Sequence, residues 1–167
     1  MNQMFIYNQL IMLCPCGTNI NYSECCELIH LQKSKAQTPE QLMRSRYSAY
    51  ALNNADYIYQ TYAKTSQDKQ SVHEIQLWAQ ETTWLSLTII DSSEYQKVTH
   101  PTVTFEAIYK NNSTFYKMKE TSTFIQEHNL WRYVDGNNLT FEELLPPKRN
   151  DTCICLSNKK YKKCCGS

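Results

Sequence analysis

Eight cysteines are the residues of this 167-residue chain best suited to do chemistry, and they fall in two clusters with one spacing. Cys14, Cys16, Cys25 and Cys26 lie near the start, and Cys153, Cys155, Cys164 and Cys165 at the end, each set reading C-x-C-x8-C-C. The 126 residues between Cys26 and Cys153 hold none, which marks a repeated module and not scattered thiols. Disulfides, free thiols and a metal compete for such a pattern. Vicinal cysteines and one-residue gaps make strained bridges, and a reactive thiol needs one or two cysteines, not two sets of four. The start, MNQMFIYNQLIML, lacks a basic stretch and a small-residue cleavage site, which speaks against a secreted disulfide framework. Four thiolates from two tight pairs suit a tetrahedral zinc ion, and iron takes the same ligands. Four protein ligands leave no place for water, so such a site is structural. In a module 13 residues long the ion would itself be the core.

The two modules differ in charge. Residues 17–24 carry only Glu24, whereas residues 156–163 carry Lys159, Lys160, Lys162 and Lys163. Those lysines either offset the double negative charge of a zinc tetrathiolate or form a basic rim for an acidic protein surface or an RNA backbone. The whole chain is near neutral, +1 from 17 basic and 16 acidic residues, so it is no global trap for nucleic acid. Two zinc tetrathiolates would shift that balance to about −3. Three glycines cannot spell a phosphate-binding loop. No apolar run is long enough to span a membrane. Twelve Tyr, five Phe and three Trp can build a core, which excludes a disordered chain.

Between the clusters, Thr38, Pro39 and Gln41 mark the start of a helix over 38–52. Leu42, Met43, Tyr47 and Tyr50 share one arc of it, and Arg46 falls inside that arc while Arg44 lies opposite. A cation aimed at the core needs a partner, for which Asp56 and Asp135 are the candidates. Asn53-Asn54 breaks the chain before a second helix over 55–62, and Ser71 with Glu74 opens a third to about Gln80. The period then changes to two. Leu85, Leu87 and Ile89 alternate, as do Val103, Phe105, Ala107 and Tyr109; a long strand follows from Thr114 to Gln126 and another from Leu130 to Asp135. Helices followed by antiparallel strands give an α+β order.

RNDTCICLSNKKYKKCCGS resembles the SEC-C motif, the short zinc tail of the bacterial preprotein translocase motor SecA, and LCPCGTNINYSECC is a second copy. TPEQLMRSRYSAYALNNADY resembles the YchJ family of small bacterial proteins. The resemblance implies that Cys14, Cys16, Cys25 and Cys26 hold one ion and Cys153, Cys155, Cys164 and Cys165 another, with Tyr22 and Tyr161 as lids. The C-terminal copy has Thr152 and Ile154 where the motif has prolines, and Leu156 and Asn158 where it has glycines. Asn tolerates left-handed backbone; Leu does not. The resemblance also implies a central cone-shaped nuclear-transport-factor-two-like domain, three helices then a curved antiparallel sheet, flanked by two zinc-knuckle modules. The expected boundaries are a disordered extension at 1–11, a metal module at 12–30, the central domain at 31–140, a linker at 141–150 and the second module at 151–167.

Such a cone commonly encloses a pocket. Arg46, Tyr47, Tyr50, Trp84 and Trp131, with Asp56 or Asp135, are the candidates to line it, against the alternative that the aromatics are plain core. His30, His73, His100 and His128 fall at helix ends or turns and are expected on the surface. No HExxH, GxSxG or close Cys/His pair occurs, so no reaction is specified and no catalytic residue is assigned. The expected function is a non-enzymatic zinc adaptor of the bacterial cytoplasm. By analogy with the SecA tail it would dock a SecB-like export chaperone or the ribosome through Lys159, Lys160, Lys162 and Lys163. Small-molecule binding or catalysis in the central pocket, and RNA binding through the basic knuckle, are the alternatives.

Overall fold

The structure, a computed structural model, describes residues 12–167; the extension expected at 1–11 lies outside the described residues. Five helices come first: α1 (Cys26–His30), α2 (Pro39–Ala51), α3 (Ala55–Gln60), α4 (Lys64–Gln67) and α5 (Val72–Glu81). Four strands follow, β1 (Thr82–Ser92), β2 (Thr102–Asn111), β3 (Thr114–Glu127) and β4 (Leu130–Leu144). They form one antiparallel meander in the order β1-β2-β3-β4. The three helices expected from the sequence are α2, α3 and α5, and the single turns α1 and α4 add to them.

Thr38 and Ser71 cap the helices they are expected to open, and Asn54 adds a cap to α3. Thr38 Oγ1 accepts from Gln41 N at 3.0 Å, Asn54 Oδ1 from Tyr57 N at 3.1 Å and Ser71 Oγ from Glu74 N at 3.3 Å. Gln41 returns its side chain one residue further upstream than a capping box would, accepting from Gln37 N at 2.6 Å. Helix α2 is buried on nearly every side. Leu42, Met43 and Tyr47 pack on the sheet, while Ser45, Ser48 and Ala49 lie under other parts of the chain. Small residues on that second face let a neighbour approach closely.

The core face of β2 is Val103, Phe105, Ala107 and Tyr109, as the alternation predicts. Strand β1 differs. Register breaks between Trp84 and Ser86 and between Ile89 and Asp91 insert Leu85 and Ile90 as extra residues. The residues opposite the β2 core face are therefore Trp84, Leu87 and Ile89, and Leu85 is phased out of the set in which alternation placed it. Strand β4 runs nine residues past the expected Asp135, so the connector shortens to 145–150. Its second half is exposed and has no alternation to read. The α3–α4 junction is pinned to β4 by Ala63 N to Tyr133 O at 2.7 Å and Tyr133 N to Thr61 O at 2.9 Å, which closes one end of the cone.

Candidate metal centres and central cavity

The first module folds around its sulfurs. Cys14 N donates to Ile20 O at 2.8 Å, and Cys25 N to Tyr22 O at 3.0 Å, so two tight turns aim both cysteine pairs inward. Gly17 sits at φ +81, and a Cβ there would come within 3.1 Å of Leu87 O, so the position needs glycine twice over. The four Sγ atoms lie within 4.8 Å of one another. Cys16–Cys25 is 3.6 Å and Cys25–Cys26 is 3.9 Å. A zinc–sulfur length of about 2.3 Å puts the edges of a tetrahedron at roughly 3.8 Å, so the donor set fits zinc without rearrangement. No sulfur is bonded to another among the described residues.

This module is built into the central domain. Ser48 Oγ lies 3.2 Å from Cys14 Sγ, and Arg44, which also pairs with Glu40, donates from Nη1 to Cys16 O at 2.8 Å. Arg44, on the face of α2 opposite the aromatic arc, is thus a clamp on the metal loop. His30 departs from its expected surface position. Its Nε2 donates to Ser45 O at 2.8 Å, so its Nδ1 accepts from Tyr22 OH, also at 2.8 Å, and its ring packs 4.4 Å from that of Tyr57. Burial pushes the His30 pKa down, which keeps the neutral ring this relay requires. Hydrogen bonds from Cys16 and Cys26 pull the Cys14 thiol down and, reciprocally, push Cys26 up, so the proton-bearing cluster gathers its charge on Cys14 beside Ser48. An ion would displace the remaining protons.

The second module repeats the same backbone. Thr152 bridges Lys160 as Leu13 bridges Asn21. Leu156 at φ +61 stands where Gly17 does, and Asn158 at +58 matches Asn19 at +59. Cys153–Cys155 and Cys155–Cys164 are both 3.4 Å and Cys164–Cys165 is 3.9 Å, again the size of a tetrathiolate. Its seat differs: it rests on the body through Tyr161, whose ring meets Phe115 edge-on at 6.3 Å. Lys159, Lys160 and Lys163 are exposed and Lys162 is half-buried, with no ion pair to any of them among the described residues. Leu156 bears strain that glycine would relieve. Leu156→Gly is expected to tighten the second site by about two- to fivefold in a chelator competition, that is about 0.5–1 kcal/mol. An unchanged midpoint would show that the loop holds a Leu there at no cost.

The central cone holds a cavity of about 210 Å³ between α2, α5 and the sheet, and Arg46, Tyr47, Tyr50 and Trp84 are among the residues that line it. Three candidates do not. Asp56 and Asp135 are exposed, and neither pairs with Arg46 among the described residues. Trp131 lines a separate groove of about 510 Å³ with Leu42, Tyr57, Thr61 and Arg132. Arg46, 3% exposed, is satisfied differently. Its Nη1 donates to Ile58 O at 2.8 Å and Thr61 Oγ1 at 2.7 Å, and its guanidinium carbon lies 4.4 Å from the ring centres of both Tyr62 and Tyr133. The carboxylate in the cavity is Glu120. Its Oε1 accepts from Ser122 Oγ at 2.7 Å and Tyr133 OH at 3.0 Å. Burial pushes the Tyr50 and Tyr133 phenols up, with Arg46 opposing and Glu120 adding to the rise. Sequence reasoning passed over Glu120, yet its signal is there: it shares the parity of Tyr116, Met118 and Phe124 along β3.

Comparison with known proteins matches this geometry. Residues 38–136 match the family model described as YchJ, middle NTF2-like domain, and residues 13–28 and 149–167 match the SEC-C motif. A UPF0225 protein of Vibrio cholerae is 39% identical over 158 residues, covering 93% of this chain and all of the relative. One from Actinobacillus succinogenes is 39% identical over 155 residues, covering 93% and 97%. The solution structure of a SEC-C motif containing protein from Rhodopseudomonas palustris aligns with a TM-score of 0.70 at 33% identity, over 75% of this chain and 98% of that one. The crystal structure of a SEC-C motif containing protein from Psychrobacter arcticus aligns at 0.67 and 31% identity, over 93% and 96%.

Proposed function

The chain belongs to the YchJ family, with an NTF2-like middle domain between two SEC-C motifs, and from that premise we propose that it is a zinc-binding adaptor. The observation that carries the reading is the pair of four-sulfur cages at tetrahedral spacing, in which every ligand position is taken by protein. Zinc held there fixes the shape of each knuckle and activates no water, so the metal serves architecture and not catalysis. The eight thiols suit a reducing compartment such as the bacterial cytoplasm. No helix among the described residues is long and apolar enough to cross a membrane.

The partner side of the adaptor is the C-terminal knuckle. Lys159, Lys160 and Lys163 stand outward at the rim of a module that is hydrogen-bonded only within residues 148–167 among the contacts of the described residues, the arrangement of a docking knob for an acidic protein surface. A SecB-like chaperone or the ribosome is the partner class in this reading. An RNA reading has less support, because Tyr161, the ring that a base would stack on, is engaged by Phe115 and packs over Gly166. Elemental analysis of the purified chain is expected to give two zinc ions per molecule. Changing Lys159, Lys160, Lys162 and Lys163 to Glu is expected to abolish co-purification with ribosomes and with the chaperone while leaving both ions in place. Unaltered co-purification removes the docking role. A loss confined to RNA, with a steep salt dependence, would favour the RNA reading.

A further inference from the structure

The central cavity carries features that the adaptor role does not use. Its walls include Tyr50, Trp78, Trp84, Tyr62 and Tyr133, with Glu120 set among them. Tyr50, Tyr62 and Trp78 also line an outer chamber of about 260 Å³ whose rim carries Glu74. The two spaces therefore share an aromatic wall of Tyr50, Tyr62 and Trp78, with Glu74 on the outer side and Glu120 on the inner.

The charges in the inner chamber are not equivalent. Arg46 lies against the Tyr62 and Tyr133 rings, its guanidinium carbon 4.4 Å from each ring centre, and its Nη1 donates to Ile58 O and Thr61 Oγ1, so part of its charge is already answered by protein. Glu120 and Arg46 face one cavity without forming an ion pair, and Glu120 has no cationic partner among the described residues. Its carboxylate is held in one orientation by Ser122 and Tyr133 through Oε1. It also lies over Gly136, where a Cβ would fall 2.3 Å from its carboxyl carbon, so the chain keeps glycine there to seat it. The indole Nε1 of Trp84 is buried with no hydrogen-bond partner, an unmet donor in a wall of this cavity.

We propose that this cavity binds a small organic ammonium ion of choline size: the electron-rich faces of Trp78, Trp84 and Tyr50 receive the cation, and Glu120 neutralises it. A volume of 210 Å³ is about seven waters' share of liquid, which matches seven heavy atoms. An anion is disfavoured, because the one cation inside is already stacked and hydrogen-bonded while the carboxylate would repel it. The proposal is independent of the zinc knuckles and of their partner.

The test titrates choline chloride into the zinc-loaded full chain and follows tryptophan fluorescence, since Trp78 and Trp84 both line the space. Saturable quenching is expected. The neutral isostere 3,3-dimethylbutan-1-ol is expected to bind at least about tenfold more weakly, and acetate is expected not to compete. Glu120→Gln, which keeps an oxygen for Ser122 and Tyr133, is expected to weaken choline by a similar factor with little change in melting temperature. Gly136→Ala, which keeps the charge but displaces the carboxylate, is expected to weaken it as well. Equal binding of the isostere, displacement by acetate, or no saturable response to choline would each overturn the proposal. The isostere comparison needs no variant and stands if a variant misfolds.

Discussion

Cys16→Ser is expected to remove one of two bound ions and to destabilise the whole chain, whereas Cys155→Ser is expected to remove one ion and leave the body intact. The difference follows from where each knuckle rests. Cys16 is fully buried, its carbonyl takes the Arg44 guanidinium, and its neighbour Cys14 faces Ser48 on the buried side of α2. His30, at the end of the same module, holds Ser45 O and stacks on Tyr57. Losing the ion uncovers Ser48 and frees the Ser45 carbonyl, both residues 0% exposed in the folded chain. Loss of a structural metal belongs to the mechanisms that cost more than about 4 kcal/mol, which at this size is a drop in melting temperature on the order of 15 °C. The second module touches the body through Tyr161 on Phe115, so its unfolding removes one edge-on aromatic contact, about 1 kcal/mol. Calorimetry with metal counting separates the two variants. Equal losses of stability would show that the first knuckle is no more integral than the second.

Arg46→Ala is expected to cost about 4 kcal/mol, read as a shift in the urea midpoint. The side chain is buried, donates to Ile58 O and Thr61 Oγ1, and packs against the Tyr62 and Tyr133 rings. Truncation removes that filling, two cation–π contacts of about 0.5–2 kcal/mol each and hydrogen bonds from a charged donor. Release from desolvation returns part of it. Arg46→Met keeps the length and loses the charge, so it is expected to fall between the wild type and the alanine variant. Arg46→Lys retains the charge without the planar fork that lies against the two rings, and about half of the alanine cost is expected. A methionine variant as stable as the wild type would show that packing alone holds the site.

The sequence made the local chemistry legible and left the long-range chemistry hidden. The cysteine ladders, the caps at Thr38 and Ser71, and the strict alternation of β2 are short-range codes that the fold reproduces. That Arg46 points inward was readable from its helical phase; that rings and a carbonyl would answer it, and not Asp56 or Asp135, depends on how α3 is pinned to β4. The two extra residues in β1 change the phase of its core face, and no single-strand pattern announces such a bulge. The far half of β4 was missed because it is exposed, so that no alternation marks Gly136 to Leu144 as a strand. His30 looked like a surface residue because its partners, Tyr22 and Ser45, come from different elements.

The irregular strands have a consequence for how these molecules meet one another. Both borders of the sheet are interrupted: β1 breaks register twice, and the pairing of β4 with β3 breaks twice as well. Ile90, Leu139 and Phe141 are exposed along those borders, an invitation to stacking by strand addition. A straight run of open amides is what a growing fibril needs as a template, and kinked margins withhold it. The fold thus keeps sticky side chains at its outer strands while denying a neighbouring copy the backbone match that aggregation requires.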